Sequence, residues 1–367
     1  MALYVSQKLK CYKWLCHAIS LPNLTNAIAL PIPMKNEDWQ EIIYLGSIHG
    51  VLPRLFEALR DQHRLEFLPT DVSEALEGFY ELNCLFNHRL REQIIGVTRL
   101  LNVHDIYPVW LKGATNLLAA DWKLSSRTML DLDLWIPDKK DQLRALEILG
   151  KDGYFIQPES VGLDYSLCQH YAPIIKTDLP ARLEIHRHVV SPACASLLTD
   201  ESALNTAIWI NSDVLSFGTL SLDNQIMQSY LQCTEQAADS LNPRGTTGLM
   251  KMVDFLERVN SKNLLDKWFS QHPELFQNPW KLKMRKFCSH LRGYFFVNTP
   301  IPLDKDYHQR ISFALNFPKL EIICHIISHG FHLLLSGKLG TINTWPGKLQ
   351  RQLLFQKKKS PLKILLS

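Results

Sequence analysis

Two aspartates one residue apart, Asp131 and Asp133, sit inside the apolar run Leu130-Asp-Leu-Asp-Leu-Trp-Ile. On a strand, side chains alternate between faces, so the two carboxylates project together while Leu130, Leu132 and Leu134 turn to the core. Paired carboxylates repel, and one takes up a proton unless a cation sits between them. Mg²⁺ resolves that conflict, because it takes oxygen ligands and keeps positions open for phosphate oxygens and water. A D-x-D recurs about once by chance in a chain of this length. Its place in an apolar strand, where an unpaired buried charge is costly, sets this one apart.

Glu184 stands between Leu183 and Ile185 on a later short strand. A third carboxylate from a neighbouring strand is what two-metal phosphoryl or nucleotidyl transfer uses. The other reading of Glu184 is an edge-strand ion pair with Arg182 or Arg187. Lys112-Gly113 falls where a strand gives way to a helix. There a glycine lets a ligand approach the backbone, helix N–H groups face a phosphate, and Lys112 adds a point charge. Thr115 has a hydroxyl to donate, and the alternative is a plain strand-to-helix turn. Arg127, four residues before Asp131, either binds phosphate or balances the acidic pair.

These residues need a sheet to hold them. The 107–111 run reads as a strand, 114–122 as a helix, 130–136 as a second strand stopped by Pro137, and 140–149 as a helix. Further strands are expected at 153–156, 172–176, 183–190 and 214–222. Before them, helices are expected at 36–50 with Gly50 as the stop, from Pro53 to Leu59, and from Thr70 to about Leu100. After them, helical periods return at 225–233, with Asp223 as N-cap, and at 248–259. The fold class expected is α+β: a small mixed sheet flanked by helical regions. The boundaries expected are 1–100 for an N-terminal helical region, 101–222 for the core, 223–300 for C-terminal helices, and 301–367 for a helical extension with a basic tail.

Composition narrows the function classes. The 367 residues are 46% hydrophobic and 21% charged, which fits a globular protein and excludes collagen, extended disorder and coiled coil. Forty basic against 36 acidic residues leave a net charge of +4, without the concentrated basic face of a long nucleic-acid binder. Eight cysteines without a C-x-x-C pair point to reduced thiols in a cytoplasmic protein, and no secretory h-region follows Met1. The most apolar run, 320–336, is broken by Glu321, His325, His329 and His332 and is shorter than a membrane span. Its three histidines share a helix face and read either as a metal or proton site or as a polar stripe.

Taken in order, Leu111-Lys112-Gly113, Arg127, Asp131, Asp133, Glu184 and His186 resemble the L-K-G, R-x-x-x-D-x-D and E-x-H pattern of an uncharacterised bacterial nucleotidyltransferase family. The likeness covers about residues 35–280 and is strongest between 110 and 190. It implies a polymerase-beta-like fold that moves a nucleoside monophosphate from an NTP to an acceptor with Mg²⁺, two ions being expected. By matching, Asp131 and Asp133 hold both metals, Glu184 completes the second site and helps deprotonate the acceptor, and Lys112 and Gly113 hold the triphosphate. His186 and His170 are accessory candidates, each with a buried structural role as the other reading. The wider superfamily carries Gly-Ser at the phosphate turn, where this chain has Lys112-Gly113-Ala114. The partners expected are an NTP and an acceptor that is a small molecule, a protein or an RNA end. The other readings are a non-catalytic nucleotide-binding or interaction protein that keeps the fold, and an all-helical scaffold with a chance D-x-D.

Overall fold

The structure is a computed structural model. It describes residues 2–21, 35–119, 126–166, 168–212, 214–238, 248–278 and 280–295, with 297 and 299. The apolar run at 320–336 with its histidines, the basic tail, and the last residues of the helix expected at 114–122 lie outside the described residues. The described residues divide into two compact units, one within 51–231 and 253–260, the other within 1–50, 232–252 and 261–299.

The first unit holds a seven-stranded mixed sheet, in the order β3-β4-β5-β2-β1-β7-β6. Its strands are β1 (Val109–Trp110), β2 (Asp131–Trp135), β3 (Phe155–Ile156), β4 (Ile174–Ile175), β5 (Arg182–His186), β6 (Ile208–Asn211) and β7 (Ser216–Thr219). β2 runs parallel to β5 and β1 parallel to β7, and the other pairings are antiparallel. The fold is therefore α+β, and the all-helical reading is excluded. Among the described residues no helix is long and apolar enough to cross a membrane, and no disulfide joins the described cysteines.

One face of the sheet is apolar. Trp110, Leu132, Leu134, Leu183, Ile185 and Phe217 bury themselves against Leu90, Ile94, Val97 and Leu101 of α4 (Thr70–Asn102). Leu130 does not join them. The ladder begins at Asp131, and Leu130 is 62% exposed. The sequence groups α4 with the N-terminal helices, yet it lies in the same unit as the sheet. Its polar residues tie it to strand ends. Gln93 exchanges two hydrogen bonds with the backbone of Ala181, just before β5. Asn102 does the same with Ser216, at the start of β7. Asn83 and Asn87 both donate to the carbonyl of Arg127 on the approach to β2.

α3 (Leu52–Asp61) packs on α4, and α5 (Lys112–Leu118) on α4 and β2. α3 starts with Pro53 in its first turn, and α6 (Lys139–Lys151) is capped by Asp138, which accepts from the N–H groups of Lys140 and Asp141. α5 begins two residues earlier than the sequence suggests, directly after the extended Leu111. α7 (Asp200–Asn205) and β6 carry no clear sequence period, and every residue of β6 is exposed. α8 (Leu222–Ala238) and α9 (Leu249–Val259) carry the chain from one unit to the other. Asp223 lies inside the first turn of α8 rather than capping it.

The second unit contains α1 (Ala2–Ala18), α2 (Asn36–His49), α10 (Lys262–Gln271) and α11 (Lys281–Tyr294). Gly50 ends α2 in the left-handed conformation, φ 66°, as its sequence position anticipates. Tyr12 is fully buried, with its ring near those of His49, His290 and Tyr294.

Candidate functional site

The site is built on the pairing of β2 with β5. Their register sets Asp131 beside Arg182, Asp133 beside Glu184, and Trp135 beside His186. Partners in register share a face, so this face carries the polar side chains while Leu132, Leu134, Leu183 and Ile185 fill the apolar one. It is not a wet face. Asp133 is 4% exposed, Glu184 8% and His186 0%.

Each buried charge has identifiable partners. Lys112 Nζ donates to Asp133 Oδ1 at 2.5 Å, and His186 Nε2 lies 2.8 Å from the same oxygen. Arg182 bridges two carboxylates, at 3.0 Å from Asp131 Oδ2 and 3.2 Å from Glu184 Oε1. His170 Nε2 is 3.7 Å from Glu184 Oε2, and a backbone bridge pairs His170 with His186. Of the two arginines the sequence offers Glu184, Arg182 is the neighbour. Arg187 donates instead to the carbonyls of Tyr165 and His170 and stacks on Tyr171.

The electrostatics push the two central carboxyls apart. Burial alone would raise the pKa of Asp133, but the Lys112 ammonium and the His186 hydrogen bond outweigh it and hold it below the usual carboxylate range. Glu184 goes up, through burial and then through the charges of Asp133 and Asp131. Burial would lower the Lys112 pKa, yet Asp133, Glu184 and Asp131 together raise it. His186 is lowered, chiefly by burial.

The Lys112-Gly113 turn is held from several sides. Lys112 has φ 54°, a left-handed conformation that costs a side-chain-bearing residue energy. Its carbonyl accepts from Arg258 on α9, and its N–H donates to Gln228 on α8. At Gly113 a Cβ would overlap the Arg127 guanidinium and the Met129 sulfur. The close approach that requires glycine here is that of a side chain of the protein. Arg127 donates from Nε and Nη2 to the two oxygens of Asp254, at 2.8 Å each, so it balances Asp254 on α9. The Thr115 hydroxyl donates to the carbonyl of Trp110 at 2.7 Å.

Asp133, Glu184 and His186 each offer an atom within 4.8 Å of the others' and form a group able to hold a metal ion. Asp131 stands beside them, paired with Arg182, its side chain 38% exposed. Sequence reasoning placed Asp254 on its helix without a role at the site and missed Arg258, Gln228, Asn83 and Asn87. The spacing of Asp254 and Arg258, one helical turn apart, was the available signal. A cavity of about 490 Å³ lined in part by Arg54, Glu57, Thr115, Asn116 and Glu257 includes none of the three metal-capable residues.

The model of a family described as uncharacterised nucleotidyltransferase matches residues 35–270 of this chain. No curated protein and no solved structure matches it.

Proposed function

The chain belongs to this uncharacterised nucleotidyltransferase family, and we propose that it transfers a nucleoside monophosphate from an NTP to an acceptor hydroxyl on the polymerase-beta-like plan, with a divalent cation. The observation that carries this reading is the register pairing of Asp133 with Glu184, with Lys112 reaching Asp133 from the turn before α5.

The charges there suit a dication. Asp131, Asp133 and Glu184 face Lys112 and Arg182, which leaves one negative charge uncompensated in a poorly solvated place. Asp133 and Glu184 would hold the ion, with Asp131 completing the acidic set. Once bound, the cation neutralises phosphate charge and makes the acceptor hydroxyl more acidic.

The residues of the chain do the rest. Lys112 exchanges Asp133 for the triphosphate when the nucleotide enters. The acceptor oxygen forms a bond to the α-phosphorus, the bond from that phosphorus to the pyrophosphate oxygen breaks, and pyrophosphate leaves. Glu184 takes the hydroxyl proton. Arg127 acts through Asp254 by fixing Gly113 and stays off the phosphate. Thr115 holds the start of α5.

The test is pyrophosphate release across an acceptor screen. Asp131→Ala and Asp133→Ala should each abolish release while circular dichroism shows the fold intact. Release unaffected by both changes would contradict the reading. Binding of cation and NTP without release from any acceptor would favour a non-catalytic nucleotide-binding protein instead.

A further inference from the structure

We propose that His186 supplies a nitrogen ligand to the cation held by Asp133 and Glu184, and that this position therefore takes a first-row transition dication of the Mn²⁺–Zn²⁺ kind in preference to Mg²⁺. The inference takes its catalytic meaning from the function proposed above, but metal binding is measured without turnover.

The hydrogen bonds of the imidazole carry the argument. His186 is fully buried. Its Nδ1 lies 3.2 Å from the carbonyl oxygen of His188. A carbonyl only accepts, so Nδ1 bears the proton and donates it. Nε2 lies 2.8 Å from Asp133 Oδ1, a contact in which a proton or a metal ion stands between the two atoms. A metal ion that takes the proton's place meets the Nε2 lone pair on one side and the carboxylate oxygen on the other. Nε2 and one oxygen each of Asp133 and Glu184 lie within 4.8 Å of one another, all on buried residues, so one ion can take all three.

An imidazole whose other N–H is donated to a backbone carbonyl is the usual arrangement of a metal-binding histidine, because that bond fixes tautomer and ring orientation. A nitrogen in the ligand set shifts preference toward transition ions, whereas Mg²⁺ favours oxygen alone. Asp131, on the same face and paired with Arg182, remains for a second, all-oxygen position.

The experiment uses the full chain, stripped with a chelator and loaded with Mn²⁺ without nucleotide. Pulsed electron paramagnetic resonance should show nitrogen coupling to the bound ion, and Zn²⁺ should displace it more readily than Mg²⁺. His186→Gln should remove the coupling and weaken Mn²⁺ binding by about tenfold or more, with Mg²⁺ affinity changed by less than about threefold. His170→Gln should keep the coupling. Bound Mn²⁺ without nitrogen coupling, no Mn²⁺ binding, or coupling lost on changing His170 would overturn the proposal. Should His186→Gln fail to fold, the wild-type spectrum and His170→Gln still decide. Transfer with Mg²⁺ and no nitrogen coupling would sink this inference and leave the proposed function standing. Nitrogen coupling without turnover of any NTP would do the opposite.

Discussion

The guanidinium of Arg127 rests against Gly113 so closely that a Cβ on Gly113 would overlap it. The turn bearing Lys112 is thus clamped by an arginine that is itself held at both ends of its fork by Asp254. Gly113→Ala must push Arg127 or Met129 aside. Overpacking of this kind costs about 1–3 kcal/mol, to be read in denaturant unfolding, and nucleotide affinity should fall with it. An alanine variant as stable as the wild type would show that the clamp is not tight.

Asp254 carries the other half of the clamp. Its side chain is 3% exposed and that of Arg127 12%, so their pairing is buried. Removing one partner of a buried ion pair leaves a stranded charge, at a cost of about 3–5 kcal/mol. Asp254→Asn should lose an amount of that order in chemical unfolding. Replacing both, as Arg127→Met with Asp254→Leu, should recover most of it, since no buried charge remains. A double variant that unfolds as readily as Asp254→Asn would contradict this.

Glu184 makes stability depend on pH. Its pKa is raised by burial and then by Asp133 and Asp131. A folded value above the unfolded one, about 4.3, means that its contribution is full below that pH and is lost as pH rises through the folded value. In chelator-treated protein, Glu184→Gln should therefore gain on the wild type between pH 5 and pH 8. A divalent cation should narrow the difference by pairing with the wild-type carboxylate. Urea unfolding at the two pH values, with and without the ion, measures both. A variant that falls further behind the wild type as pH rises in chelator would reverse the sign of this account.

Much of the site was legible because strand geometry is regular. The parity of Asp131 and Asp133 gives their shared face from spacing alone, and Leu183-Glu184-Ile185 gives the orientation of Glu184 in the same way. What spacing could not give is which strands adjoin, so the pairing of Asp133 with Glu184 and the bridge that Arg182 makes between Asp131 and Glu184 emerge only from the register. Arg127 shows a second limit. A cation near an acidic pair and a glycine reads as a phosphate ligand, and only the distant Asp254 on α9 shows where its charge is spent. Polar residues of α4 such as Gln93 and Asn102 interrupt an apolar period and look like noise until the strand-end groups they serve are in view. Leu130 fits the alternation but lies one residue before the ladder, so it faces solvent.

The most direct test of the central claim is a crystal soaked with Mg²⁺ or Mn²⁺ and a non-hydrolysable NTP. The account predicts a cation between Asp133 and Glu184, with the triphosphate beside it and Lys112 Nζ moved from Asp133 to a phosphate oxygen. A nucleotide bound away from this face, or one bound here with Lys112 still on Asp133 and no cation between the two carboxylates, would contradict it.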